Sequence, residues 1–359
     1  MFKLKRDTNS ANVQTVSESA GQYQISKGIS KKELEKLSNN PKTNSIQFVK
    51  PLDENEIILL EAIVFSKRPD ISLRVYGHYG EECDLTFIEQ IPSLRGFSAD
   101  SLMDAKGIES VTTLKDLEKL GVGIFNLDNF DFLKTINPQI KELSLHQTRS
   151  NKPNISSIKR FSDLKVLYLE SQQNGIEAIG NLHKLEEITL RSISTPNVDY
   201  LAGLQNLWSV DIKLGGIKNF DGVTSLSKLK YLELWQVRGL KDLSFISKLT
   251  TLQNLFIQSL KQVEQLPDFS NLAALRRIYL ENLKGLTHLS TLKTASVLEE
   301  FVFVMAGNLD PEKLIPVLEN PSLKNIFCGF GSEKKNNRFN ELASTYNKGR
   351  YSYSKFKYE

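Results

Sequence analysis

The sequence is poor in the residues that usually announce chemistry. Only two cysteines, Cys83 and Cys328, occur in 359 residues; so sparse a pair is no disulfide framework, and both read as reduced, buried thiols. The four histidines, His78, His146, His183 and His288, are dispersed, with no spacing that would put two on one metal ion. There is no phosphate loop and no dinucleotide fingerprint, and Gly80, Gly121, Gly123, Gly215 and Gly216 read as turn residues or strand neighbours. No G-x-S-x-G elbow occurs and neither cysteine has a suggestive histidine partner. Enzymatic readings therefore fail on inventory: no catalytic residue, metal site, cofactor or small-molecule substrate is expected. The longest apolar run is FVFVMA, Phe301 to Ala306, far below the ~20 residues of a membrane span. The opening MFKLKRD puts charge where a secretory signal carries its apolar core, so the expected compartment is the cytoplasm. Nor does one charge sign dominate, with 46 Lys+Arg against 42 Asp+Glu and a net charge of +4.

Leucine is what the chain has in excess. It occurs 51 times, with three copies in the first 50 residues, so the enrichment belongs to one region. From residue 91 onward L-x-x-L-x-L recurs as SLRGFSA, DLEKLGV, QIKELSL, DLKVLYL, KLEEITL, NLWSVDI, KLKYLEL, TLQNLFI, ALRRIYL, VLEEFVF and SLKNIFC. The middle apolar residues are Phe97, Leu120, Leu143, Leu167, Ile188, Val210, Leu232, Leu255, Ile278, Phe301 and Ile326. Their period is about 23 residues, inside the leucine-rich-repeat range.

On these motifs the chain resembles leucine-rich-repeat proteins, and within them the bacterial internalin-like class with short repeats. The resemblance implies an α/β solenoid: a leucine-rich-repeat horseshoe with a parallel concave β-sheet, a 3₁₀-rich convex side and capped ends. Between strands, apolar residues follow every third position, at Ile217, Phe220, Val223, Leu226 and Leu229 and again at Leu240, Leu243, Ile246, Leu249 and Leu252. A period of three suits 3₁₀ turns, where side chains at i and i+3 eclipse. One such coil cannot bury its own leucines, whereas stacked coils share a continuous core. The turn position that the family fills with asparagine holds Gln172, Gly215, Val237, Leu260, Leu283 and Ala306, so looser or differently bonded turns are expected there.

Both ends of a solenoid need caps. The expected organisation is an N-terminal arm and capping helix over 1–43, degenerate repeats over 44–90, leucine-rich repeats over 91–330 and a C-terminal cap over 331–359. Ser30 and Glu33 form a capping-box signature that starts a helix over about 30–39. Residues 45–49 and 71–77 read as strands that bracket a helix in ENEIILLEAIVF, and residues 1–29 as an arm or hairpin. Asp310 followed by Pro311 predicts an α-helix over 311–319, although Pro316 would remove one of its hydrogen bonds. A helix is expected over 333–346, and YSYSKFKYE, which alternates aromatic and polar residues, reads as an edge strand. Residues 332–359 hold seven Lys/Arg against three Asp/Glu; a solvated rim and a nucleic-acid or membrane contact are both open there.

Side chains alternate along a strand, so the positions before, between and after the last two apolar residues of each motif face outward. The middle column reads Ser98, Gly121, Ser144, Tyr168, Thr189, Asp211, Glu233, Phe256, Tyr279, Val302 and Phe327. Ten steps of about 4.8 Å give a sheet of about 48 Å, enough for a protein-sized partner. Aromatics concentrate there, and aromatic residues beside arginine make binding hot spots. The candidate partner-binding residues are Tyr168, Glu170, Asp211, Lys213, Tyr231, Glu233, Trp235, Phe256, Gln258, Arg277, Tyr279 and Glu281, centred on repeats seven to nine. Trp208 lies one position outside the columns, on the strand's edge.

The outward positions carry eight acids (Asp100, Glu142, Glu170, Glu187, Asp211, Glu233, Glu281, Glu300) against four bases (Lys119, Arg191, Lys213, Arg277). Such a face repels phosphate and steers a basic partner, which weighs against nucleic acid. The expected function is a non-catalytic protein-interaction module, with a bacterial cytoplasmic immunity or inhibitor protein against a basic toxin as its concrete form. The resemblance also implies an alternative, a secreted or injected effector or an internalin-like adhesin; the export signal and wall anchor of such adhesins are not seen.

Overall fold

Each of the eleven anchors falls on a strand in a computed structural model, which describes residues 12–77, 82–150 and 152–359. His78, Gly80 and the first eleven residues of the expected arm lie outside the described residues. The chain forms two units, Met1–Leu182 and His183–Glu359.

The first unit contains β1 (Val13–Ser17), β2 (Gln22–Ile25), β3 (Ser45–Phe48), β4 (Ser72–Tyr76), β5 (Cys83–Asp84), β6 (Gly96–Leu102), β7 (Ala105–Lys106), β8 (Lys119–Ile124), β9 (Glu142–Leu145) and β10 (Val166–Glu170). Its main sheet runs β1-β2-β3-β4-β6-β8-β9-β10, and β5 pairs separately with β7. Only the β1–β2 hairpin is antiparallel. The later strands of this sheet pair in parallel, because each coil leaves its strand, turns through a helix or a 3₁₀ segment and returns in the same direction. Phe97, Leu120, Leu143 and Leu167 are register partners in turn.

The second unit contains β11 (Glu187–Arg191), β12 (Ser209–Lys213), β13 (Tyr231–Trp235), β14 (Asn254–Gln258), β15 (Arg277–Glu281), β16 (Glu300–Val304), β17 (Asn325–Cys328) and β18 (Gly349–Arg350), in that spatial order. Here Ile188, Val210, Leu232, Leu255, Ile278, Phe301 and Ile326 form one row, all buried. The two period-three series from Ile217 to Leu229 and from Leu240 to Leu252 are buried throughout. They flank 3₁₀ segments at Asp221–Ser225 and Ser244–Lys248.

The turns that leave the strands are tight rather than loose. Ser192, Leu214, Gln236, Ser259, Asn282 and Met305 each adopt a left-handed backbone, with φ between 52° and 59°. The N–H groups at these turns continue the ladder to the next coil: Leu214 donates to the Trp235 carbonyl (2.9 Å), Gln236 to Gln258 (2.8 Å), Ser259 to Glu281 (2.9 Å) and Asn282 to Val304 (2.9 Å). Main-chain bonds thus tie these turns to the next coil without a side-chain amide. They leave the filler positions Val237, Leu260, Leu283 and Ala306 free to be apolar and buried. Gln172 keeps the polar role: its Nε2 donates to the His146 carbonyl and to Thr148 Oγ1, both at 3.0 Å. Gly215 is required by close approach, since a Cβ there would collide with the Ile193 carbonyl.

The helices sit at the ends. α1 (Lys31–Asn39) begins at the Ser30/Glu33 capping box and buries Leu34 and Leu37. α2 (Glu54–Leu60) begins at a second box, Asp53/Glu56, and runs on as a π turn over Glu61–Phe65. The expected α-helix over 311–319 is instead a 3₁₀ turn, Pro311–Leu314, followed by the short α3 (Ile315–Leu318). The break places Pro316 in the first turn of α3, where the missing N–H leaves no gap in the ladder. α4 (Glu333–Thr345) packs Phe339 against Phe330, with the ring centroids 5.8 Å apart and the planes tilted by 55°. Cys83 and Cys328 are free and buried; burial pushes the Cys83 thiol up to about 12 and raises that of Cys328 as well.

The expectation of an edge strand in YSYSKFKYE is overturned: none of its residues is in a strand, and the two-residue β18 lies immediately before it. Gly349–Arg350 pairs with β17, and the Tyr351 N–H still reaches the Ile326 carbonyl at 3.0 Å. From there the chain turns back across the starts of β13, β14 and β15. Aromatic stacking against the sheet competes there with ladder pairing at its edge, and the aromatic contacts prevail.

Candidate functional site

Period-two alternation places the candidate residues of the second unit in three rows across β12 to β15. Asp211, Glu233, Phe256 and Tyr279 are successive register partners, with Tyr231, Asn254 and Arg277 on one side and Lys213, Trp235, Gln258 and Glu281 on the other. Nine of the ten candidates in this unit, all but Arg277, are half-buried, because each packs against its neighbours in the row.

The acidic end is a bonded cluster. Lys213 Nζ lies 2.7 Å from Asp211 Oδ2 and 3.2 Å from Glu233 Oε1, while the Tyr231 hydroxyl donates to Glu233 Oε2 at 2.6 Å. Burial, reinforced by the Glu233 charge and opposed by Lys213, pushes the Asp211 carboxyl up to about 6. Asp211 Oδ1 is buried with no hydrogen-bond partner. Burial works against the Lys213 charge, but its carboxylate partners outweigh that and hold the ammonium above its ordinary pKa. The Tyr231 hydroxyl is pushed well up, first by burial and then by Glu233.

The aromatic end follows directly. The Trp235 ring has Lys213 Nζ and the Arg191 guanidinium each 5.8 Å from its centroid. Phe256 and Tyr279 stack at 4.9 Å with their planes 17° apart, and Gln258 Nε2 donates to Glu281 Oε1 at 3.0 Å. Offset stacking of this kind contributes about 0.5–1.5 kcal/mol beyond area burial. Val302, expected outward, is buried at 2% exposure; it stands between Tyr279 and Phe327 in register, and the longer side chains overtop it. Tyr168 and Glu170 belong to the first unit, where the Tyr168 ring lies 4.9 Å from His146 and Glu170 Oε2 lies 3.4 Å from His146 Nδ1.

The side of the face at the strand starts is occupied. Arg277, expected to be exposed, is 8% exposed, because residues 351–359 lie over it. Its guanidinium sits 5.6 Å from the Tyr351 ring centroid and 5.0 Å from that of Phe356, while Nε bonds Glu300 at 2.5 Å. Tyr358 packs on Trp208 (5.1 Å) and edge-on to Tyr231 (6.5 Å). The sequence did not identify Trp208, Gln253, Asn254 and Arg276 as a binding row. Three of them, Trp208, Gln253 and Arg276, stand one position before their strands, and the signal that could have found them was the aromatic alternation of the C-terminal segment itself.

The fold is shared with solved structures. An internalin (inlF) from Listeria monocytogenes superposes with a TM-score of 0.57 at 18% identity, covering 86% of this chain and 87% of that one. A leucine-rich-repeat protein of Leptospira interrogans gives 0.50 at 15% identity over 89% and 92%. The chain has the leucine-rich-repeat fold of the internalin-like class. No protein-family model and no curated protein matches the sequence. In this leucine-rich-repeat chain the coils supply the rigid rows, and the outward residues differ from coil to coil. No described helix is long and apolar enough to cross a membrane.

Proposed function

We propose that the chain is a non-catalytic protein-interaction module that binds a partner protein on the outward face of its parallel sheet, with Glu233, Trp235, Phe256, Gln258, Tyr279 and Glu281 at the centre. The observation that carries this reading is the row of stacked and cation-flanked aromatics, Trp235 and the Phe256/Tyr279 pair, held on rigid strands beside carboxylates. Aromatic anchors that are already ordered lose little side-chain entropy on binding, and such residues dominate interface energetics. The excess of acids over bases at the outward positions supports a basic partner. In its concrete form the reading is a bacterial cytoplasmic immunity or inhibitor protein that covers the active surface of a basic toxin.

Co-purification from the native host tests this, comparing the wild type with a Trp235→Ala/Tyr279→Ala variant. The partner recovered with the wild type should have a high isoelectric point and be lost from the variant. Association should also slow as salt rises from about 0.05 to 0.5 M, because steering charges are screened within about 10 Å at 0.1 M. Retention of every partner by the variant contradicts the reading.

A further inference from the structure

The segment 351–359 is seated on the sheet as a ligand would be. Its side chains divide into two sets: Tyr351, Phe356 and Tyr358 are half-buried against the sheet, whereas Tyr353, Lys355 and Lys357 are exposed. The sheet grips the main chain between those rings. Arg276 donates to the Lys357 carbonyl at 2.8 Å and Arg277 to the Ser354 carbonyl at 3.2 Å. Gln253 bonds Glu359 twice, donating to its main-chain oxygen and accepting from its N–H, both at 3.0 Å. Asn254 Nδ2 donates to the Tyr358 hydroxyl at 3.1 Å, and the Glu359 carboxylate pairs with Arg276 at 2.8 Å. Phe356 lies 5.0 Å from the Arg276 guanidinium and 4.8 Å from Tyr358.

The division of labour in these contacts is that of peptide recognition. Main-chain bonds are indifferent to sequence, and the ring positions select it. The residues doing the holding, Trp208, Tyr231, Gln253, Asn254, Arg276 and Arg277, adjoin the open aromatic rows centred on Trp235 and Phe256. A partner that used those rows would extend naturally onto this side of the face.

We propose that residues 351–359 are a built-in competitor: the groove at the starts of β12 to β15 binds an extended partner segment of the same chemistry, aromatic residues at i and i+2 with lysine between, and the tail must leave before that segment enters. This rests on the sheet face being a partner surface. The tail is joined to α4 by a short connection, so it competes at an effective concentration of order millimolar. For a free segment binding at about 0.1 mM, that competition weakens the apparent affinity of the wild type about tenfold.

The test uses the full chain and a fluorescein-labelled synthetic peptide of the sequence YSYSKFKYE, followed by fluorescence anisotropy. A Phe356→Ser/Tyr358→Ser variant changes only half-buried tail side chains and should bind the peptide about tenfold more tightly than the wild type. Adding Trp208→Ala and Arg276→Ala to that variant should remove the gain, with the circular dichroism spectrum and melting temperature confirming that the coils are intact. Equal binding by the wild type and the tail variant overturns the proposal, and so does a gain that persists without Trp208 and Arg276. Either failure leaves the partner-binding reading standing if the Trp235→Ala/Tyr279→Ala variant still loses its partner; loss of no partner with a positive peptide result would instead confine recognition to the groove.

Discussion

The left-handed residues that close each coil carry strain that side-chain identity can raise or relieve. A non-glycine residue held at positive φ costs about 1–2 kcal/mol, more when β-branched. Gln236, at φ 52° and exposed, isolates the effect from packing. Gln236→Val should lower the unfolding free energy by about 1–2 kcal/mol and Gln236→Gly should leave it within about 0.5 kcal/mol, as measured by urea titration. Asp211 carries a second residue-scale signature. Its folded pKa of about 6 lies above the usual ~3.9, so the folded state binds more protons than the unfolded between those values. Its contribution is favourable below about pH 4 and is lost as pH rises through 6. The stability gap between Asp211→Asn and the wild type should therefore grow in favour of the variant from about pH 4 to pH 7; a gap that stays flat would contradict the burial argument.

Among the elements, strands were the most legible in the sequence and the C-terminal segment the least. L-x-x-L-x-L fixes both period and face, so all eleven anchors were identified and their register within each unit followed from stacking. Because each anchor fills a fully apolar interior, Leu232→Ala, at a site with 0% exposure, should destabilise by about 2–5 kcal/mol in urea titration. Capping chemistry was equally readable at Ser30/Glu33. Turn geometry was not, because an apolar filler at Val237 or Leu283 says nothing about which main-chain N–H bonds the next coil. The tail misled for a related reason: alternation of aromatic and polar residues signals two distinct faces, and it does not say whether the apolar face meets a sheet edge or a sheet surface. Of the candidate site, the rows through Glu233 and Phe256 were legible because alternation sets them. The burial of Arg277 was not, because it depends on a segment 74 to 79 positions further along, from Tyr351 to Phe356.

For the whole molecule, the formal charge of +4 is less informative than its placement. The outward strand positions lean acidic, while bases gather towards the C-terminal end, in the helix α4 and in the exposed lysines of the tail that crosses the sheet. If the proposed function holds, the sheet face, and not the 3₁₀ side of the coils, meets the partner. Site-specific photo-crosslinking in the native host tests it most directly, with p-benzoylphenylalanine placed at Phe256 on the sheet face or at Ser227, an exposed position on the return side of the coil. A discrete crosslinked adduct is expected from position 256 and none from 227; an adduct from 227 with none from 256 would place the partner on the return side instead.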